Sequence, residues 1–227
     1  MDEAQLAHLP YPLPPWQHRF RTLSVFCEVD EKRVAALLPP ALELRESVLQ
    51  STVMRFDSTV PSRPYHDSAV IAPVRFGKVE GGYWVFGYTS TDQVLSATRE
   101  LWGFKMKLAD RICLDERGAF ITGRTERHGA TLIAAELGET GEPLDVPATF
   151  PRLFWKVLPR ADRDDAEVDQ TVMMDAETQV ERTVWGRGSV QLGASDEDRL
   201  NSIGPFEVLG ASFVSGHQIL PWGRELA

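Results

Sequence analysis

The chain has 227 residues, 43% of them apolar and 25% charged, and a formal net charge of −9. That length encloses a substantial core, the acidic balance without a basic run excludes nucleic acid as a partner, and no apolar run nears the ~20 residues of a membrane span. Only Cys27 and Cys113 are present, which argues against a disulfide framework, and the Met-Asp-Glu start lacks a signal-peptide pattern, so a cytoplasmic protein is expected.

In chain order, Pro10, Pro12, Pro14 and Pro15 around Tyr11 and Trp16 read as an extended arm, because proline fixes such a backbone. Phe20–Val29 has strand character. Asp30 caps a short helix running through Leu38, with Glu31 in its first turn and Pro39 ending it. Val48–Phe56 and Ala69–Phe76 are rich in β-branched residues and predict strands. Gly81-Gly82 reads as the hairpin turn into a strand over Tyr83–Thr89. Asp92–Leu101 predicts a helix stopped by Gly103.

Strands are then predicted over Phe104–Leu114, Ala119–Arg127, Thr131–Leu137, Phe150–Leu158, Gln170–Met174 and Thr183–Leu192. A short helix is expected at Asp196–Leu200 and a last strand at Phe206–Leu220, with Arg160–Asp169 a solvated loop. Many short strands at regular spacing indicate an antiparallel barrel or sandwich. No repeat or low-complexity tract interrupts residues 1–227, which read as a single domain.

The most informative stretch is Arg99-Glu100-Leu101-Trp102-Gly103-Phe104-Lys105-Met106-Lys107-Leu108. Alternation puts Phe104, Met106 and Leu108 on one strand face and Lys105 and Lys107 on the other. The segment resembles the signature of the acetoacetate decarboxylase superfamily, Arg-Glu followed by Pro-Lys-Lys-Leu. Val34–Pro39, Pro73-Val74, Phe154–Pro159, Gly188–Leu192 and Ile219–Pro221 extend the resemblance over nearly the whole chain. It implies a mainly β fold, an antiparallel β barrel with a few short helices, and a homo-oligomer, an expectation that the exposed arm also supports.

In that family the first signature lysine forms an imine with a keto acid, its amine freed by desolvation and a neighbouring cation. By resemblance Met106 holds that place, and methionine forms no imine. Lys107 matches the neighbouring cation and could bind a carboxylate or enolate oxygen, while Lys105 stands where the family has proline. Of two family glutamates, one falls on Asp67 and the other on uncharged Thr52. The family arginine falls near Phe20, leaving Arg19 or Arg21 as the match. Glu100 is retained, and Trp102 and Phe104 line the pocket or core.

The expected function is therefore a lyase- or isomerase-type enzyme acting on a keto, enol or unsaturated acid or ester without an imine. Lys107, Asp67 and Glu100 are the candidate catalytic residues; Arg21, Arg19, Thr52, Trp102, Phe104, Met106 and Lys105 are the candidate substrate contacts. Two alternatives stay open: an imine enzyme using Lys105 or Lys107 after a register change, and a non-catalytic ligand-binding homologue. His18 and His66 are minor acid–base candidates. His128 and His217 lack metal-ligand spacing, and neither metal nor cofactor is implied.

Overall fold

A computed structural model describes residues 1–226, without the side chain of Ser58. The chain runs through α1 (Glu3–Ala7), β1 (Trp16–Val29), α2 (Glu31–Ala35), β2 (Glu43–Leu44), β3 (Val48–Val60), β4 (Tyr65–Phe76), β5 (Val79–Thr89) and α3 (Asp92–Ala97). A π-helical turn over Thr98–Trp102 leads to β6 (Met106–Leu108), β7 (Arg111–Arg117), β8 (Phe120–Arg127) and β9 (Ala130–Thr140). There follow β10 (Arg152–Pro159), β11 (Ala166–Met174), β12 (Glu177–Leu192), a 3₁₀ turn at Leu200–Ile203, β13 (Phe206–Leu220) and β14 (Arg224–Leu226).

The strands form one sheet in the order β14-β11-β10-β5-β4-β3-β1-β13-β12-β9-β8-β7, with β2 beside β4 and β6 beside β5. The expectation of a mainly β protein with short helices holds. The barrel does not. The path ends at β14 on one side and β7 on the other, and these two do not pair. Instead β7, β8 and β9 fold back as a second layer over β1, β3 and β4. Ile112, Leu114, Ile121, Leu132, Ile133 and Leu137 pack there with Leu23, Val25, Val53 and Val70. A side chain at Gly123 in β8 would meet Val53 Cβ at 2.7 Å, so glycine sets how closely the layers approach. Pairing is also mixed, since β6 and β10 each run parallel to β5.

Period-two alternation divides the central strands between two cores. On β3, Val53 joins the layer just described, whereas Met54 and Phe56 join a second cluster with Trp16, Phe20, Tyr65, Ala69, Trp84, Trp102, Phe104, Met106 and Phe154. Each fully buried large apolar side chain contributes roughly 1.5–3 kcal/mol, so either cluster alone is a substantial core. The second lines what we call the interior face.

Several local expectations need correction. The β4–β5 turn is made at Gly77, where φ is 57°, and Gly81-Gly82 lies inside β5. The pair is required by close approach: Gly82 N–H donates to the Pro151 carbonyl at 2.9 Å, and a side chain there would strike Arg152 Nη1 and Thr149. The strand expected over Phe104–Leu114 is split into β6 and β7, and Leu108 is exposed instead of packing beside Met106. The helix after Asp30 ends earlier, at a C-cap on Ala36, and the turn expected at Asp196 begins at Leu200. Tyr11 and Trp16 are buried within the chain, so the arm does not present its aromatic residues to a neighbour. Among the described residues no helix is long and apolar enough to cross a membrane.

Candidate functional site

The signature segment is shaped by its cap and its stop. Thr91 accepts the Val94 N–H at the start of α3, and Thr98 donates its hydroxyl to the Val94 carbonyl at 2.7 Å. The Thr98 carbonyl then accepts both Gly103 N–H and Phe104 N–H, at 3.0 and 3.1 Å, which closes the π turn. Gly103, at φ 87°, reverses the chain, and only glycine fits there: a Cβ would meet the Lys156 backbone and Cβ below 3 Å. The reversal delivers β6 to the edge of β5 with Met106 facing inward.

Register then brings distant residues into rows. Met106 lies beside Gly87, Gly87 beside Ala69, Ala69 beside Thr52, and Thr52 beside Ser24. The next row on the same face, two registers along, runs Leu108, Thr89, Asp67, Met54 and Thr22. Met106 is 2% exposed, and its Sδ takes the space a Gly87 Cβ would fill, 2.8 Å away. Around it stand aromatic walls: Phe104 lies 3.7 Å from Phe154 and 4.9 Å from Trp84 between ring centroids, and Trp102 lies 5.5 Å from Trp16.

This apolar face holds a few polar groups with little to bind. Asp67 is 5% exposed and its Oδ1 has no hydrogen-bond partner. Burial lifts its carboxyl from 3.8 to about 8, because the charged form loses its water. Thr89, opposite it in register, is near enough to favour the carboxylate slightly. Neither Thr89 Oγ1 nor Asp67 Oδ1 completes a hydrogen bond, so burial dominates. His18 is buried with both ring nitrogens unpartnered, and burial lowers it to about 4, so the ring is neutral at physiological pH. It lies 5.0 Å from Phe56 and 5.6 Å from Tyr65, and burial, then Asp67, pushes the Tyr65 hydroxyl well up. Trp84 Nε1–H also lacks an acceptor.

Of the residues singled out from the sequence, Asp67, Thr52, Trp102, Phe104 and Met106 meet on the interior face. Thr52 donates to the Leu23 carbonyl at 3.0 Å and is satisfied. The charged candidates go elsewhere. Lys107 turns to the opposite face, its Nζ 2.7 Å from Asp198 Oδ1 and 2.7 Å from the Glu197 carbonyl. Arg21 lies 3.0 Å from Asp57 and 3.1 Å from Glu116, and Arg19 3.9 Å from Glu181, both on the side away from Phe20. Glu100 accepts the Tyr11 hydroxyl at 2.6 Å and ties the arm to the π turn. Lys105 is exposed beside an open cleft, yet the cleft walls, and then Lys107, lower its amine from the usual value.

Sequence reading missed Asp198, Arg152 and Trp84. Asp198 is 1% exposed and holds Lys107, Arg127 Nε at 3.0 Å, the Tyr88 hydroxyl at 3.1 Å and Ser195 at 3.2 Å. These partners hold its carboxyl below the usual value although burial opposes them. Arg152, on the Phe154 face of β10, is buried without a carboxylate; it donates to the Thr149 carbonyl at 2.6 Å and stacks 4.0 Å from the Phe150 ring. Gly82 opposite it, which leaves the guanidinium room, was the available signal. Among the described residues no group of three His, Cys, Asp or Glu is placed to hold a metal ion.

Comparison with known proteins supplies the kinship. The family model for acetoacetate decarboxylase matches residues 6–224. Acetoacetate decarboxylase 2 of Mesorhizobium japonicum is 27% identical over 158 residues, 67% of this chain, and the match spans 60% of that relative's length. The fold is that of the Legionella pneumophila acetoacetate decarboxylase crystal structure, with a TM-score of 0.87 at 24% identity over 96% of this chain and 89% of that one. It is also that of the enduracididine biosynthesis enzyme MppR, complexed with the condensation product of pyruvate and imidazole 4-carboxaldehyde, with a TM-score of 0.80 at 15% identity over 96% and 91%. The chain belongs to the acetoacetate decarboxylase family.

Proposed function

We propose that this chain is a small-molecule enzyme of its family that works by acid–base chemistry at Asp67 and not through an imine. The observation that carries the reading is Asp67 itself, a carboxyl kept protonated near neutrality by its apolar surroundings, one strand row from Met106. An imine needs an unprotonated amine at the reacting carbon. Among the described residues no lysine is buried, and Lys107, matched by resemblance to the family's tuning cation, is bound to Asp198 on the far face.

A carboxyl with a pKa of about 8 suits proton transfer in both directions at neutral pH. Protonated, it donates to a carbonyl or enolate oxygen; ionised, it takes a proton from the adjacent carbon. The Thr89 hydroxyl, opposite it in register and unpartnered, is assigned to the oxygen that gains charge. This set suits hydration, dehydration, cyclisation or isomerisation of a keto, enol or unsaturated acid or ester. The pyruvate-derived product in the MppR crystal supports a keto-acid framework for the substrate class.

The test uses 2-oxobutanoate in deuterium oxide. The protein should exchange the C3 protons, Asp67→Asn should abolish that exchange, and borohydride should leave the protein mass unchanged. A borohydride adduct mapped to Lys105 or Lys107 would return the chain to imine chemistry. Exchange that survives Asp67→Asn would remove Asp67 from the reaction.

A further inference from the structure

The opposite face of β5 and β10 carries a second feature, unconnected with Asp67. Strand alternation turns Tyr83, Trp155 and Val157 away from Trp84 and Phe154, and between them opens a cleft of about 370 Å³. That size lies within the range of small-molecule sites. Leu37, Leu38, Pro39 and Pro40, following α2, form the facing wall. Trp155 is 37% exposed although it is the largest side chain lining the cleft, and its indole N–H is turned to Asp169 at 2.6 Å.

Charge distinguishes this cleft from the rest of an acidic protein. Arg99 and Lys105 line it, and no aspartate or glutamate does. Among the described residues neither cation has a carboxylate within 4.0 Å; Arg99 makes one long contact, 3.4 Å to the Met106 carbonyl. The pairing follows from the local fold, because the π turn and the Gly103 reversal put residues 99 and 105 on the same rim. Two unpaired cations above apolar walls complement one kind of small ligand: a carboxylate with an aromatic or branched body.

We propose that this cleft binds an amphipathic monocarboxylic acid, the carboxylate held by Arg99 and Lys105 and the body packed against Trp155, Val157 and Leu38. The cleft shares Phe104 with the interior face, but Asp67 does not line it and the binding proposed here does not require the reaction. Guanidinium and ammonium groups give charge-assisted hydrogen bonds to a carboxylate, and the walls exclude water from the body.

Calorimetry with 4-phenylbutyrate tests the site; this probe has no ketone and forms no imine, so its result is independent of the proposed reaction. The acid should bind saturably, and the matched neutral alcohol, 4-phenylbutan-1-ol, should bind about tenfold more weakly or worse. Arg99→Met and Lys105→Met should each weaken the acid about tenfold and leave the alcohol unchanged. Trp155→Ala should weaken both, and Asp67→Asn neither. Thermal melts of the charge variants should match the parent, since both residues are exposed. Failure of the acid to bind, equal affinity for acid and alcohol, or loss of binding in Asp67→Asn with none in Arg99→Met would overturn the assignment.

Discussion

Two buried aspartates sit on opposite faces of one sheet and titrate in opposite directions. Asp198 is ringed by Lys107, Arg127, Tyr88 and Ser195 and is held below the ordinary carboxylate range. Asp67 has only neutral hydroxyls near it, Tyr65 and the unbonded Thr89, and burial carries it to about 8. Burial alone therefore assigns no role to a carboxyl. With cations and donors around it, the group is a clamp that joins β5, β6, β8 and the segment after β12. Without them, it is a neutral acid in an apolar wall, which is a costly arrangement for structure and a useful one for proton transfer.

The contrast breaks most sharply at Asp67. Its folded value lies above the unfolded one, so between about pH 4 and 8 the folded state holds a proton that the unfolded state has released. The contribution of Asp67 to stability, read as the difference between the parent and Asp67→Asn, should fall as pH rises through that window and level off above it. Asp67→Asn should remove that contribution and be the more stable protein at pH 9, by on the order of 5 kcal/mol. Urea melts at pH 5, 7 and 9 decide this, and parallel profiles for the two proteins would mean that Asp67 is ionised throughout.

Removing the other aspartate has the opposite sign. Asp198→Ala strands Arg127 and frees Lys107, and should cost about 3 kcal/mol at neutral pH. That is the low end for a buried pair, because Lys107 is partly solvated. A loss under about 1 kcal/mol in denaturant melts would show the clamp to be ornamental. Met106→Ala should cost about 2 kcal/mol or more, since the thioether fills the space above Gly87; a melt unchanged by the substitution would place Met106 outside the packed face. His18 gives the smallest and most localised effect. Its folded value, about 4, lies below the unfolded one, so its own contribution, which opposes that of Asp67 in this range, should be lost as pH falls from about 6.5 to 4. The difference in stability between the parent and His18→Phe should change over that range alone.

What the sequence made legible was local. Alternation put Phe104 and Met106 inward, Gly103 marked the stop of the turn, and the signature and its companion blocks identified the family. Asp67 was reached through the resemblance, but its environment was not, because that depends on which rows meet across four strands. Lys107 shows the same limit. Its partner Asp198 lies 91 residues away, and no periodicity links the two. Gly81-Gly82 was read as a turn because glycine pairs favour turns, whereas here they admit the backbone before β10 into contact with β5. Barrel closure failed for the same reason: it is a property of the two ends of the sheet, and strand spacing carries no information about whether β14 and β7 meet.

The central claim is that the interior works through a neutral carboxyl. Carbon-13 NMR of the aspartate side-chain carboxyls, with the Asp67 resonance assigned by its absence in Asp67→Asn, measures that directly. The account predicts a titration midpoint near 8 for Asp67 and one below the ordinary carboxylate range for Asp198, whose partners lower it against the effect of burial. A midpoint for Asp67 in the ordinary carboxylate range, about 4, would contradict it.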